Sequence, residues 1–242
     1  MTLEILEDYE KISERAARIV AREILTHDEP VLGLPTGNTP KGMYDNLVNL
    51  YQTGLIDFSR VKTFNLDEYY PLSEFKGKSF KQYMKEHLYD RVNLRKENTF
   101  IPDGRIPREQ VEDHCRKYEN LIDRAGGIDL LILGIGPNGH IGFNEPGSGF
   151  GTSTRLVTLK QRTRERNFDK ISRAPSEAVT MGIKTVMNAR KILLLASGGV
   201  KADALERSLS GKITEEWPCS VLQLHPNTHY VVDKEAAGNI DR

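Results

Sequence analysis

The sequence lacks an excess of charge of either sign. Its 242 residues include 34 Lys and Arg against 34 Asp and Glu, so the formal charges cancel. Proteins that bind nucleic acid or anionic membranes usually carry a basic excess, which this composition does not provide. We therefore expect neither nucleic acid nor a membrane among its partners.

Cysteines are few and long apolar runs are missing. Cys115 and Cys219 are far apart, and neither has a Cys or His nearby at metal-ligand spacing, which argues against a disulfide framework and against a zinc cluster. No run approaches the roughly 20 apolar residues of a membrane-spanning helix. Residues 1–20 are acidic and amphipathic, unlike a signal peptide. These absences predict a cytoplasmic protein.

What the sequence does have is a repeated change of hydrophobic period. Short apolar segments predict strands at Val31 to Leu34, Val61 to Leu66, Ile128 to Gly134, Lys191 to Ala196, Val221 to Leu224 and Tyr230 to Val232. Amphipathic segments predict helices at Tyr9 to about His27, after Pro40 to Leu50, Phe80 to Arg91, Arg108 to Arg124, Gly182 to Asn188 and Gly199 to Leu209. The alternation predicts an α/β fold, with a doubly wound, mostly parallel, Rossmann-like sheet covered by helices on both faces. We see no linker or repeat and expect one domain over residues 1–242.

Two predicted strands run into a Gly-rich turn and then a helix. The first turn, LPTGNTP over residues 34–40, contains the candidate ligands Thr36, Gly37, Asn38 and Thr39. The second, ASGGVKA over residues 196–202, places Lys201 at a helix start, where a cation opposes the helix dipole unless an anion lies between them. Together the two turns suggest a phosphate dianion held from two sides. Taken singly, a capped helix start and a solvent-exposed lysine are the alternative interpretations.

Two adjacent carboxylates, Asp67 and Glu68, follow the apolar segment that ends at Leu66. Side chains alternate along a strand, so only one of the two can face a ligand there. A carboxylate that is partly desolvated beside a second acid can be poised to take a proton from carbon. The alternative interpretation is that the pair caps a turn or a helix.

The stretch GIGPNGHIGFNEP, residues 134–146, follows a predicted buried strand and combines glycines with polar groups. His140 and Glu145 are five residues apart, which is not the i, i+4 spacing of a helical zinc site. We interpret the pair as a proton-transfer histidine oriented by a carboxylate. A structural histidine on a flexible connection is the alternative. Ligands of α/β sheets gather at the carboxyl ends of the strands, so the four segments should converge.

These segments occur in one chain with FNLDEYY (64–70) and SVLQLHP (220–226), in an order and spacing that resemble the glucosamine-6-phosphate deaminases. The resemblance covers nearly the whole chain. It implies an aldose–ketose isomerisation coupled to deamination, in which glucosamine 6-phosphate and water give fructose 6-phosphate and ammonium. It also implies that neither an organic cofactor nor a metal takes part.

The resemblance further implies roles for individual residues. Asp67 is similar in position to the base that moves a proton from C2 toward C1, and His140 to the group that opens the pyranose ring, held by Glu145 and Asn138. The remaining substrate-binding candidates are Thr36, Gly37, Asn38, Thr39, Glu68, Gly136, Arg164 and Lys201, with the 36–39 turn and Lys201 as a phosphate clamp.

The sequence departs from the family pattern in three places. Asn138 stands where many members have Asp, which predicts an altered pH dependence. The segment at about 155–175 resembles the family's lid but looks shortened, and Arg164 is the candidate for its phosphate-binding arginine. The chain ends soon after its last predicted strand, so we expect a monomer or small homo-oligomer without amino-sugar phosphate regulation.

Two other functions fit part of the pattern. A 6-phosphogluconolactonase-like hydrolase would share the fold, the phosphate turn and a Gly-His loop. A non-catalytic sugar-phosphate sensing module would use the same scaffold, although it would not need the set of Asp67, His140 and Glu145.

Overall fold

A computed structural model describes residues 1–72, 79–161, 163–164 and 175–240 of the chain. The strands are β1 (Thr2–Leu6), β2 (Val31–Leu34), β3 (Lys62–Asn65), β4 (Asp67–Tyr70), β5 (Thr99–Phe100), β6 (Leu130–Gly134), β7 (Arg155–Thr158), β8 (Glu177–Thr180), β9 (Lys191–Ala196) and β10 (Thr228–Asp233). Seven of them form a sheet in the order β1-β10-β9-β6-β2-β3-β5, and every neighbouring pair in it is parallel. The predicted parallel α/β sheet is confirmed.

The α-helices connect these strands. They are α1 (Tyr9–Thr26), α2 (Lys41–Gln52), α3 (Phe80–His87), α4 (Val111–Arg124), α5 (Ile183–Met187) and α6 (Ala202–Leu209). Their starts agree with local chemistry: Asp8 accepts from the Lys11 N–H at the start of α1, and Ser79 accepts from the Gln82 N–H at the start of α3. In the described part of the chain, no helix has both the length and the apolar character needed to cross a membrane.

The core lies on both faces of the large sheet, which explains why its central strands are apolar throughout. Along β6, Leu131 and Leu133 pack into one hydrophobic cluster, whereas Leu130 and Ile132 pack into the other. Helices α4, α5 and α6 contribute to the first cluster, and α1 and α2 to the second. Because helices cover both faces of the sheet, its faces are buried, whereas the ends of its strands stay accessible.

Three strands form a second sheet that the sequence did not predict. Strands β4, β8 and β7 pair antiparallel in that order. Each is four residues long, which is too short for the period of alternation to be read with certainty. This small sheet holds Asp67 through its register with Thr180.

One predicted strand is wrong, and one observed strand was not predicted. The strand predicted at Val221 to Leu224 is part of the 3-10 helix Pro218–Leu224, because a short buried apolar run does not distinguish a strand from a helix. The edge strand β1 lies within residues 1–20, which the sequence pattern characterised only as acidic and amphipathic. The lid predicted at about 155–175 begins with β7, but its residues 162 and 165–174 lie outside the described residues.

Candidate active site

The carboxyl ends of β2, β3, β6 and β9 face one cavity of about 1450 Å³. Its lining includes the turn after β2, Asp67 after β3, the Gly-rich loop after β6, and Lys201 after β9. The sequence predicted that these four segments converge, and the cavity confirms it. They meet because the strands are parallel and neighbouring, so their carboxyl ends share one edge of the sheet.

One end of the cavity is formed by residues 36–39. Gly37 has a φ of 105°, a left-handed conformation that glycine adopts without steric cost. Two tyrosines hold the turn: the Tyr83 hydroxyl donates to the Gly37 carbonyl at 2.6 Å, and the Tyr9 hydroxyl donates to the Asn38 carbonyl at 2.9 Å. These hydrogen bonds hold the conformation of the turn, which lines the cavity. Neither tyrosine is signalled by the local sequence, because both come from distant parts of the chain.

Lys201 lines the same cavity, within the short 3-10 helix after β9, and it is only 8% exposed. Its ammonium donates to the Ile135 carbonyl, in the loop after β6. The preceding turn is fixed by Asp233, whose carboxylate accepts from the Ser197 hydroxyl at 2.6 Å and the Gly198 N–H at 3.1 Å. A cation held in this way offers a fixed positive charge to an anion in the cavity.

Asp67 lines the cavity on the side of the small sheet and is 7% exposed. Burial, and then the nearby charge of Glu68, raise the pKa of Asp67 to about 8. A Cβ built at Gly142 would lie 3.7 Å from Oδ2 of Asp67, so the carboxylate lies beside the loop that carries His140. This carboxyl group is therefore poised to exchange a proton near neutral pH.

Glu68, predicted to bind substrate, does not line this cavity. Its carboxylate accepts from three backbone N–H groups, those of Tyr69 at 2.9 Å, Phe80 at 2.9 Å and Lys81 at 3.0 Å. Burial raises the pKa of Glu68, and these three hydrogen bonds oppose the rise. The residue anchors the start of α3, which is the capping alternative noted above. Only one of the two carboxylates faces the cavity, as strand alternation predicts.

His140, Asn138 and Glu145 form a hydrogen-bonded relay. The Asn138 amide nitrogen donates to Oε2 of Glu145 at 2.7 Å, and Nδ1 of His140 lies 2.7 Å from the Asn138 amide oxygen. A carboxylate only accepts, so the amide must turn its NH₂ group toward Glu145 and its oxygen toward the imidazole. Nδ1 therefore donates to the Asn138 amide oxygen, and Nε2 is the nitrogen that can act as a base when the ring is neutral. Direct contact between His140 and Glu145 is longer, 3.9 Å from Nδ1 to Oε2.

Gly136 is required by the position of the His140 ring. A Cβ at residue 136 would lie 2.2 to 2.5 Å from three ring atoms of His140. The ring therefore packs directly on the backbone of the loop. Gly139, with a φ of 78°, makes the turn before the histidine and packs against Trp217. Gly136 acts through ring packing; its predicted contact with substrate stays a prediction.

Thr163 is a cavity residue that sequence reasoning missed. It lines the cavity, is 7% exposed, and donates its hydroxyl to Oε1 of Glu145. From sequence, the basic residues of this segment stand out, because cations are the usual partners of phosphate, whereas a threonine carries no such signal. Arg164 follows on the same turn, and its phosphate-binding role stays a prediction. Among the described residues, no group of three or more His, Cys, Asp or Glu is placed to hold a metal ion.

The chain matches a family of known proteins over most of its length. The family model described as glucosamine-6-phosphate isomerases/6-phosphogluconolactonase matches residues 7–231. The chain belongs to this family.

Within the family, two similar proteins are named glucosamine-6-phosphate deaminase. One from Clostridium botulinum strain Kyoto is 46% identical over all of this chain and 99% of its own length. One from Thermoanaerobacter pseudethanolicus is 47% identical over 99% of this chain and 95% of its own. These relatives confirm the resemblance drawn from the motifs.

Solved structures of proteins from this family are similar to the chain. That of a monomeric glucosamine-6-phosphate deaminase matches with a TM-score of 0.94 at 42% identity, covering 99% of this chain and all of its own. A 6-phosphogluconolactonase from Trypanosoma brucei matches with a TM-score of 0.78 at 18% identity, covering 99% of this chain and 98% of its own. The second likeness shows the fold alone.

Proposed function

We propose that this chain converts glucosamine 6-phosphate and water to fructose 6-phosphate and ammonium. The observation that carries the proposal is one cavity in which a buried carboxylate, a histidine relay and a buried lysine occupy the ends of adjacent strands. Full-length relatives that are named glucosamine-6-phosphate deaminases support the same substrate. The reaction is an aldose–ketose isomerisation followed by loss of the amino group.

Ring opening is the task of His140. A closed pyranose has no carbonyl at C1, so its C2–H bond is not acidic until the ring opens. Nε2 of His140 takes the proton of the C1 hydroxyl and returns it to the ring oxygen as the C1–O bond to the ring breaks. The relay to Asn138 and Glu145 keeps the proton on Nδ1 and leaves Nε2 available for this transfer.

Proton transfer between carbons is the task of Asp67. In the open aldehyde its carboxylate removes the C2 proton, and a proton of the substrate's C2 ammonium passes to O1, giving an enolamine. The proton held by Asp67 is then delivered to C1, which leaves an iminium at C2. Water then adds to C2 of the resulting iminium, and ammonia leaves with a proton to give the ketone and ammonium. The pKa of Asp67, raised to about 8 by burial, falls when the substrate's C2 ammonium arrives, because an opposite charge favours the carboxylate.

The phosphate occupies the opposite end of the cavity, between the 36–39 turn and Lys201. It is remote from the reacting carbons, so its binding energy is available to hold the open chain in a reactive pose. Arg164 is the candidate for a third contact. Thr36 and Thr39 offer hydroxyl groups, and Asn38 an amide, to the phosphate oxygens.

The proposal also covers the oligomeric state, the cellular location and the domain organisation of the protein. A monomer or small homo-oligomer is supported by the solved deaminase, which is described as monomeric. A cytoplasmic location is supported by the two free, buried cysteines, since reducing compartments keep thiols unpaired. A single domain over residues 1–242 is supported by the family match over residues 7–231.

The decisive test is the release of ammonium from glucosamine 6-phosphate by the purified protein, with fructose 6-phosphate measured in parallel. We expect the two products in equal amounts, and no hydrolysis of 6-phosphogluconolactone. Lactone hydrolysis without ammonium would support the hydrolase alternative. Binding of the sugar phosphate without any product would support a sensing module.

A further inference from the structure

Thr163 attaches the segment after β7 to the histidine relay. Its hydroxyl donates to Oε1 of Glu145, while Asn138 donates to Oε2 of the same carboxylate. Both oxygens of Glu145 are thus held by donors from different parts of the chain. Glu145 is 6% exposed, so these donors replace the water that a surface carboxylate would have.

A second contact fixes the same segment to the same loop. The Lys160 ammonium donates to the Pro146 carbonyl at 2.9 Å, directly after Glu145. The backbone N–H groups of Thr163 and Arg164 both donate to the Lys160 carbonyl, at 3.0 and 3.1 Å, which forms the turn that presents Thr163. The turn that carries the Thr163 hydroxyl is therefore attached to Pro146, the residue that directly follows Glu145.

The direction of each hydrogen bond gives the Thr163 hydroxyl a function. Asn138 directs its NH₂ group to Glu145 only because the carboxylate stands in the right place and is ionised. If Glu145 rotates away, the amide of Asn138 is free to turn over and to present a donor to His140. Nδ1 would then lose its proton to Nε2, the nitrogen that ring opening needs as a base.

We propose that Thr163 is a positioning residue for ring opening, which acts on His140 through Glu145 and Asn138. The inference rests on the proposed function, since it names a residue that prepares the same site. Thr163 also lines the cavity, so the group that sets the relay is in reach of the substrate. Its role is separate from that of Lys201 and the 36–39 turn, which hold the phosphate.

The test compares Thr163→Val, which keeps the shape and removes the donor, with Thr163→Ser, which keeps the donor. We expect Thr163→Val to lower kcat by about tenfold or more, with KM little changed, as for other residues that orient a catalytic group. Thr163→Ser should recover most of the loss. Equal losses in both variants, or wild-type kcat in Thr163→Val, would overturn the role. Thr163→Ala supplies the comparison if valine destabilises the fold.

A double-variant cycle tests the route of action. If Thr163 acts only through Glu145, adding Thr163→Val to Glu145→Ala should cause no further loss of kcat. Losses that multiply in the double variant would show that Thr163 acts by another route and would contradict the inference.

A spectroscopic measurement separates this inference from the proposed function. ¹⁵N spectra of the imidazoles, with His140 assigned from a His140→Gln variant, report the ring tautomer without any turnover. We expect Nδ1–H in the wild type and a mixture of tautomers in Thr163→Val. An unchanged tautomer in Thr163→Val would overturn the inference even if the wild type releases ammonium. Absence of ammonium release, with the tautomer change present, would overturn only the proposed reaction.

Discussion

The side-chain amide of Asn138 donates a hydrogen bond to Oε2 of Glu145, with a distance of 2.7 Å from nitrogen to oxygen. An aspartate at position 138 has no such donor, so a carboxylate pair at this distance would need a shared proton. The amide joins Glu145 to His140 without one. The relay of this chain therefore runs from Glu145 through the Asn138 amide to Nδ1 of His140.

Replacement of Asn138 should reveal this relay. We expect Asn138→Ala to lower kcat by roughly tenfold to a hundredfold, because His140 loses its orienting partner. Asn138→Asp keeps the acceptor for His140 and should lose less, but its activity should gain a further pH dependence from the new carboxylate beside Glu145. Steady-state kinetics across a pH series measures both effects. Equal pH profiles for wild type and Asn138→Asp would contradict the interpretation.

Asp67→Asn should remove nearly all turnover while leaving substrate binding measurable. The amide cannot accept the C2 proton, and a positioned base contributes about a hundredfold to ten-thousandfold. Ammonium release gives the rate, and titration calorimetry gives the binding of glucosamine 6-phosphate to the variant. An active Asp67→Asn protein would overturn the assignment of the base.

The same variant should change how stability depends on pH. Asp67 has a folded-state pKa of about 8, above its ordinary value of 3.8, so the native state retains a proton that the unfolded chain has already released. Its contribution to the free energy of unfolding is therefore lost as the pH rises from about 4 to about 8. We expect the Tm of Asp67→Asn to exceed that of the wild type by more at pH 8 than at pH 5.5. A difference in Tm that does not change between these pH values would contradict the raised pKa.

Lys201→Ala should mainly weaken substrate binding and raise KM by roughly tenfold or more, because a buried charge-assisted contact to phosphate is lost. Lys212→Ala, which removes an exposed lysine, is the matched control. Initial rates at varied substrate concentration give both constants. An unchanged KM in Lys201→Ala would remove this residue from the phosphate site.

The sequence alone establishes the parallel sheet, because runs such as Leu130 to Gly134 are apolar on both faces of the strand and are buried only when helices cover both faces of the sheet. It also determined which strand ends carry chemistry, because glycines and polar groups follow β2, β6 and β9 directly. Parallel neighbours then place those ends together, so the convergence of Asp67, His140 and Lys201 followed from local pattern and general topology.

Which of the two adjacent acids faces the cavity depends on tertiary contacts. Glu68 is taken by the backbone of α3, twelve and thirteen residues along the chain, and no local pattern signals that contact. Likewise Thr163 meets Glu145 across eighteen residues of sequence. Such partners are chosen by packing between distant segments, whereas hydrophobic periodicity reports only which face of an element is buried.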